Sequence, residues 1–251
     1  VVARPAGLCT GCPERPLFSA IKQLQQERGG AFHISADIGC HSFATLPPFN
    51  LGNTIMGYGF SLASSSAIRS KLPHRAISVM GDGGFWSTGI NGLMNLVFNN
   101  SQSTVIIVDN SCLAMTGGQN VPSSEFGFNY KPENKLDIAK ICEAIGIEDV
   151  VTVDPYELES LEEAILNAVK AKTNSVVIVE KPCVTKFRLP TDTSRYIDQD
   201  LCTQCRQCLH IGCLAIERKA DEDSHQIVIN ENLCTGCGLC AHVCKHGTIQ
   251  S

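Results

Sequence analysis

The sequence predicts an α/β protein: a doubly wound parallel sheet followed by a small cysteine-rich domain. Three observations predict it. Short β-rich runs alternate with helix-like runs up to Glu180, which is the signature of parallel strands joined by crossover helices. Two of those runs, at residues 104–108 and 175–179, are almost continuous Val/Ile, as strands covered on both faces require. Eight of the 14 cysteines fall in the last fifty residues.

In chain order the reading gives a helix over 16–28, a strand over 32–35, a helix over 57–71 and a strand over 76–80. A helix over 88–99, a strand over 104–108, a helix over 136–145, a strand over 150–153, a helix over 157–171 and a strand over 175–179 complete the alternation. The expected domains are 1–183 for the sheet and 198–251 for the cysteine-rich part. Residues 184–197, with Pro190 and a Thr-Asp-Thr-Ser run, read as a linker. Open parallel sheets bind ligands at the carboxyl ends of their strands, so residues just after each strand take priority.

The chain is 251 residues with a net charge of −5. Its Lys and Arg residues form no block, which argues against nucleic acid as a partner. Two stretches, 38–68 and 83–108, contain no Asp, Glu, Lys or Arg. Neither reads as a membrane span, because Pro47, Pro48, Asn50, Asn53 and the serines at 64–66 interrupt one, and Gly89, Asn91, Gly92 and a polar 99–104 interrupt the other. They fit a buried cofactor cleft. No signal peptide opens the chain, so the expected location is the cytoplasm. Val1 in place of Met fits a start within a longer polypeptide.

Cys202, Cys205 and Cys208 follow a C-x2-C-x2-C rhythm with Cys213 beyond, and Cys234, Cys237 and Cys240 repeat it with Cys244 beyond. Zinc ribbons use paired C-x2-C units, whereas three such thiolates on a tight loop surround a larger object. The pattern is that of a two-cluster ferredoxin, in which the fourth cysteine of each run serves the other cluster. Cys202, Cys205, Cys208 and Cys244 are therefore expected around one 4Fe–4S cluster, and Cys213, Cys234, Cys237 and Cys240 around a second. Leu214 and Lys245 stand where such runs usually carry proline. Of the remaining six, Cys9, Cys12, Cys40 and Cys183 lie at loop positions near strand ends and could converge on a third cluster; the alternative is scattered core thiols. Cys112 and Cys142 read as buried thiols.

Gly81-Asp82-Gly83 directly follows the 76–80 strand and precedes a helix. Alone it would suit a plain turn, but Asp109-Asn110-Ser111-Cys112 again directly follows a strand. Adjacent strand ends would bring Asp82 and Asn110 together as oxygen donors of the kind Mg²⁺ prefers. The glycines would let the backbone approach a diphosphate, with the helix amides aimed at it.

Gly81-Asp-Gly with Asn110 resembles the thiamine diphosphate binding motif, and Met115-Thr-Gly-Gly-Gln resembles a loop of the 2-oxoacid:ferredoxin oxidoreductases. With Leu8-Cys-Thr-Gly-Cys-Pro, Asp37-Ile-Gly-Cys-His and the ferredoxin-like end, essentially the whole chain is similar to the coenzyme-binding half of the indolepyruvate-type large (alpha) subunit of that family. The resemblance implies a thiamine diphosphate fold in which Asp82, the Asn110 side chain and the Cys112 carbonyl ligate Mg²⁺. It also implies that Gly83, Met115 and Thr116 contact the diphosphate or prop the coenzyme. Asn110 as a turn cap and Met115 as core packing are the plain alternatives. Cys9, Cys12, Cys40 and Cys183 match the order of a cluster-binding set in pyruvate and oxoglutarate members, although the indolepyruvate branch is described by two clusters. His41 lines the pocket or caps a turn.

The activity implied is oxidative decarboxylation of a 2-oxoacid, with coenzyme A taking the acyl group and the clusters passing electrons to ferredoxin. The family's activating glutamate comes from a pyrimidine-binding domain for which this length leaves no room, so the chain is expected to work only with another subunit or domain. The rival readings are a non-catalytic electron-transfer subunit, against which intact Asp82 and Asn110 speak, and a relative acting on another 2-oxoacid.

Overall fold

The computed structural model describes residues 7–27, 32–69, 75–125, 135–188, 193–221 and 224–250. The sheet part runs α1 (Glu14–Glu27), β1 (His33–Ala36), a 3-10 turn (Cys40–Thr45), β2 (Thr54–Ile55), α2 (Ser61–Arg69) and β3 (Ala76–Gly81). A short α3 (Asp82–Gly84), a π turn (Phe85–Gly89) and α4 (Ile90–Phe98) then form one helical run. It is followed by β4 (Thr104–Asp109), α5 (Ile138–Ile145), β5 (Asp149–Val153), α6 (Leu158–Lys170) and β6 (Ser175–Glu180).

Every pairing in the six-stranded sheet is parallel, in the order β2-β1-β3-β4-β6-β5. Alternate side chains of the Val/Ile runs go to opposite faces, the period-2 geometry of a strand. Ile106, Val108, Val177 and Val179 meet Leu17, Phe18, Ile21, Leu161 and Ile165 of α1 and α6. Val105, Ile107, Val176 and Ile178 meet Leu62, Phe85, Leu93, Leu96 and Ile138 of α2, the π turn, α4 and α5. Two apolar layers around one sheet are what make both faces of these strands hydrophobic.

The buried Arg75 fastens the opposite end of the sheet. Its guanidinium donates to Thr104 Oγ1, the Ser103 carbonyl and the Ala171 carbonyl, each at 2.7 Å, and so joins the starts of β3 and β4 to the end of α6. It also donates to the Thr173 carbonyl and Ser175 Oγ, so truncation would leave five acceptors without a charged donor. Arg75→Ala is expected to lower stability by about 3 kcal/mol, read as a fall in the urea midpoint.

Beyond β6 come α7 (Val184–Phe187), β7 (Tyr196–Ile197), a 3-10 turn (Gln207–Ile211), the antiparallel hairpin β8 (Ile216–Asp221) and β9 (Ser224–Ile229), α8 (Leu239–His242) and β10 (Ile249–Gln250). β7 pairs antiparallel with β10, so Tyr196 and Ile197, expected in the linker, belong to the small unit. Val184–Phe187 of the expected linker is helical, and Pro190 lies outside the described residues, as do Arg28, Ser70 and Lys71 of the expected helices. The core of the small unit is Ile197, Ile211, Ile216, Ile227, Leu239 and Ile249, with Cys208 and Cys240 packed among them. No helix among the described residues is long and apolar enough to cross a membrane.

Candidate functional site

At the carboxyl ends of β1, β3 and β4 lies a cavity of about 320 Å³ whose walls include Glu14, His41, Asp82, Asn110, Cys112 and Met115. β3 and β4 are neighbours in register, Gly81 beside Val108, which brings the two strand-end motifs together. Asp82 Oδ2 and Asn110 Oδ1 both accept from the Cys112 amide, at 3.0 and 3.2 Å. Asp82 Oδ1 accepts from the Gly83 amide at 2.6 Å. Asp82 is 2% exposed and Asp109 5%. Burial first, and then the charge of Asp109, push Asp82 up to about 8; burial likewise raises Asp109. Two buried carboxylates side by side with an amide oxygen favour a cation between them and the cavity.

The glycines fit close approach. Gly81 lines the cavity and is open, with His41 Cε1 at 3.8 Å the nearest atom to a Cβ placed there. A Cβ on Gly83 would fall 1.9 Å from Leu113 Cδ2 and 2.3 Å from Tyr58 Oη, so a side chain there would displace the Leu113 and Tyr58 side chains that wall the site. The helical run that starts at Asp82 carries its π turn one residue beyond Gly84, the kind of local irregularity often found at functional sites.

The Met115 loop is a tight bend. Leu113 pairs with Gln119 by its amide at 2.9 Å, and Gly117 and Gly118 take φ of +118° and +78°, where a side chain would be strained. Thr116 is exposed, with its Oγ1 2.7 Å from Gln119 Oε1. Met115 is 47% exposed at the cavity, which rules out ordinary core packing for it. His41 is buried with Nδ1 3.8 Å from Glu14 Oε1. His41 Nε2 and Glu14 Oε2 have no hydrogen-bond partner among the described residues. Such orphaned atoms are costly unless a ligand satisfies them, and the cavity holds both residues on its wall.

Beside this cavity four thiols gather. Cys12 feels the charges of Cys40 and Cys9, and Cys40 those of Cys183 and Cys9. Burial pushes Cys12 up and Cys40 to about 12, with the Glu14 charge adding to both. Cys183 is brought down to about 6, chiefly by a hydrogen bond from the Cys112 thiol. Cys112 is thus a buried thiol that touches Cys183, whereas Cys142 is plain core of α5.

In the small unit, one cavity is lined by Cys213, Cys234, Cys237 and Cys240, and a second by Cys202, Cys205, Cys208 and Cys244. This is the cross-sharing that the spacing implies. No three Cys, His, Asp or Glu side chains among the described residues form a set that could hold a single metal ion. The loops bend through left-handed residues at matching positions, Gln204 and Arg206 in one run and Gly236 and Gly238 in the other. Backbone amides point at sulfur, with Gly236 at 3.4 Å and Arg195 at 3.5 Å from Cys234 Sγ. Burial pushes Cys208 up to about 11 and Cys240 to about 12, a cost that a metal bound through the deprotonated form would remove.

Sequence reasoning missed Glu14, Arg15, Asp109 and Tyr156 as site residues. Glu14 stands directly after Cys12-Pro13, and Asp109 inside the second strand-end motif, so both had a local signal.

Residues 37–180 match the family described as thiamine pyrophosphate enzyme, C-terminal TPP binding domain. Residues 227–250 match the 4Fe-4S binding domain. The indolepyruvate oxidoreductase subunit IorA of Methanothermobacter marburgensis is 29% identical, aligned to 98% of this chain and 40% of its own length. That of Pyrococcus horikoshii is 29% identical over 90% and 38%. The 2-oxoglutarate synthase subunit KorB of Archaeoglobus fulgidus is 30% identical over 78% of this chain and 77% of its own. A solved 2-oxoglutarate:ferredoxin oxidoreductase from Magnetococcus marinus, with 2-oxoglutarate, coenzyme A and succinyl-CoA bound, superposes with a TM-score of 0.63 at 20% identity, covering 72% of this chain and 66% of that one. It shares the fold. The chain spans about 36–40% of the length of the IorA relatives.

Proposed function

From the premise that the chain belongs to the 2-oxoacid:ferredoxin oxidoreductase family of thiamine pyrophosphate enzymes, we propose that it is the coenzyme-binding and electron-carrying part of an enzyme that oxidises arylpyruvates such as indolepyruvate. The products are CO2 and an acyl-CoA, and the electrons pass to ferredoxin. The observation that carries this reading is the convergence of Asp82 and Asn110 on one cavity with sets of four cysteines arranged away from it.

The residues present fit the implied groups: an oxygen set with raised proton affinity for Mg²⁺, an open Gly81, and two orphaned polar atoms, on Glu14 and His41. Asp82 and the Asn110 side chain, with the Cys112 carbonyl, would hold Mg²⁺, and Gly81, Gly83 and Thr116 would sit against the diphosphate. Met115 would support the coenzyme from below, and His41 and Glu14 would meet its reacting end. When bound, thiamine diphosphate supplies the carbon nucleophile that makes decarboxylation of a 2-oxoacid possible. The chain's own work is to fix the anion, exclude water with the Ile38, Tyr58 and Leu113 side chains that line the cleft, and hold the cysteine sets within reach. Cys9, Cys12, Cys40 and Cys183 would carry a third 4Fe–4S cluster next to the coenzyme.

The missing activating glutamate would come from a pyrimidine-binding domain or subunit. The surface fits one: Ile38, Tyr58 and Met115 line the cavity yet are 46, 38 and 47% exposed, and Met56 and Phe60 flank Tyr58 at 71 and 54%. Apolar side chains gathered at a cavity mouth mark an interaction surface. The test is anaerobic purification of the chain alone and with that partner. Alone it should bind thiamine diphosphate and show cluster absorbance without 2-oxoacid-dependent dye reduction; turnover should appear with the partner, fastest for arylpyruvates by kcat/KM. Fast turnover by the isolated chain would refute the partner requirement, and a preference for 2-oxoglutarate would refute the substrate.

Iron counting resolves the clusters. Three 4Fe–4S sites give about 12 iron atoms and as many acid-labile sulfides per chain, two give about 8. We expect about 12 in the wild type and about 8 in Cys40→Ser; 8 in both would remove the third cluster.

A further inference from the structure

Arg15 is a large charged side chain at 1% exposure, and among the described residues no carboxylate forms an ion pair with it. Its guanidinium donates to carbonyls on both sides of the boundary between the sheet and the small unit: Cys9 at 2.7 Å and Leu8 on one, Ile211 at 2.9 Å and Gly212 on the other. Carbonyls satisfy its hydrogens but not its charge, and a buried unpaired cation is expensive. The missing negative charge has an evident source. Arg15 lines the Cys213/Cys234/Cys237/Cys240 cavity, and its charge is felt at Cys213.

Tyr156 makes a second bridge at the same boundary. It follows β5 and is held by Asp154 Oδ1, which accepts from its amide at 2.8 Å, and by Lys181 Nζ, 5.5 Å from the ring centre. Its hydroxyl lies 3.3 Å from the Cys12 carbonyl, with the Cys237 side chain close enough to be felt by it. A phenol has one hydrogen to donate, and the Cys12 carbonyl and the Cys237 sulfur are the acceptors beside it. At 3.3 Å the carbonyl is distant for an O–H donor, and an anionic sulfur is the better acceptor. The loops themselves touch: Gly11 sits at φ +69° where a Cβ would be 2.9 Å from Thr235 Oγ1.

We propose that Arg15 and Tyr156 are positioning residues that clamp the amino-terminal cysteine loop to the Cys213/Cys234/Cys237/Cys240 cavity and raise the reduction potential of the cluster there, making it the electron entry point of the small unit. The cluster of Cys202, Cys205, Cys208 and Cys244 has neither contact and is the exit, and Cys205 is exposed. An added electron increases the negative charge on sulfur, so a buried cation and an O–H donor stabilise the reduced form most. The inference rests on the iron–sulfur reading above and needs only the two clusters of the small unit.

The test is a dithionite redox titration followed by electron paramagnetic resonance on the whole chain and on Tyr156→Phe, which removes only the hydroxyl. At a fixed poise the reduced-to-oxidised ratio of one cluster should fall about tenfold, a shift of about 59 mV to lower potential for one electron, with the other unmoved. Cys205→Ser marks the exit cluster, and the signal that Tyr156→Phe moves must be the other one. Arg15→Lys keeps the charge without the fork and should move the same midpoint less than Arg15→Gln. Equal iron and sulfide in wild type and Tyr156→Phe, with both signals present, shows the iron–sulfur reading intact; an unmoved midpoint, or a shift in the Cys205-marked cluster, then overturns the role of Tyr156. A wild-type chain without iron would sink the underlying reading instead.

Discussion

Asp82→Asn should abolish magnesium-dependent binding of thiamine diphosphate while making the metal-free chain more stable. The two effects have the same origin. Asp82 is buried against Asp109, and its carboxyl is pushed up to about 8, so ionising it in the folded chain is unfavourable. A raised carboxyl in the native state binds its proton more tightly than in the unfolded chain. Its contribution is therefore intact below the ordinary carboxylate range and is lost as pH rises toward 8. An amide of the same shape removes that loss, although its single oxygen can replace only one of the two acceptors that Asp82 offers to the Gly83 and Cys112 amides. We expect a Tm increase of about 2–4 °C for each kcal/mol relieved, largest at and above pH 8. The metal-binding side runs the other way: losing the Asp82 carboxylate from the proposed cation set should weaken coenzyme binding by at least about 100-fold. Wild type should gain about 2.7 kcal/mol of stability at a hundred times its Kd for the coenzyme, and Asp82→Asn none. Calorimetry with Mg²⁺ and thiamine diphosphate, with and without the substitution, reads both. A variant that keeps the ligand-induced rise in Tm would remove Asp82 from the site.

What the sequence made legible follows from how local each determinant is. β4 and β6 were readable because both faces are buried, leaving continuous Val/Ile runs at 0–3% exposure. The meeting of Asp82 with Asn110 was readable because each directly ends a strand and the strands are neighbours. The expected helix start at Gly57 was four residues early. Its first turn is shaped by the Asp37 carboxylate at the end of β1, which accepts from the Gly59 amide at 2.5 Å and the Ser61 amide at 2.7 Å, a partner no local window contains. β2 is two residues long, placed by Asn53 gripping the Ile34 backbone at 2.8 Å in both directions. It leaves no hydrophobic run to read. Glu14 reads locally as a favourable first-turn acid, and only the arrival of His41 from the other side of the cleft turns it into a cavity wall. Tyr156 carries no motif; its role exists only once the small unit folds back against the sheet.

Stripping the iron with a chelator should unfold the small unit and leave the sheet standing. The unit from Tyr196 to Gln250 is near the size at which a hydrophobic core alone is marginal. Its buried apolar set is six isoleucine and leucine side chains, with Cys208 and Cys240 among them. Its strands are two two-residue strands and one hairpin. Gln204 and Arg206 are held at φ +57° and +66°, a conformation that costs side-chain-bearing residues about 1 kcal/mol or more each. Around both cavities every thiol but Cys205 is partly or fully buried, and several are raised by that burial. On the proposed iron–sulfur reading, metal–thiolate bonding would offset these costs, and cluster binding and folding of this unit would be one equilibrium. The sheet has two apolar layers of its own and no such dependence. Hydrogen exchange after anaerobic chelation should therefore show protection lost throughout 196–250 and retained in β3, β4 and β6, while Arg15, deprived of Ile211 and Gly212 as acceptors, loosens the start of α1. Cys240→Ala, which removes a thiolate and a core contact at once, should reproduce the pattern without chelator. Protection that survives iron removal in β7, β10 and α8 would show that the unit folds on its apolar core alone.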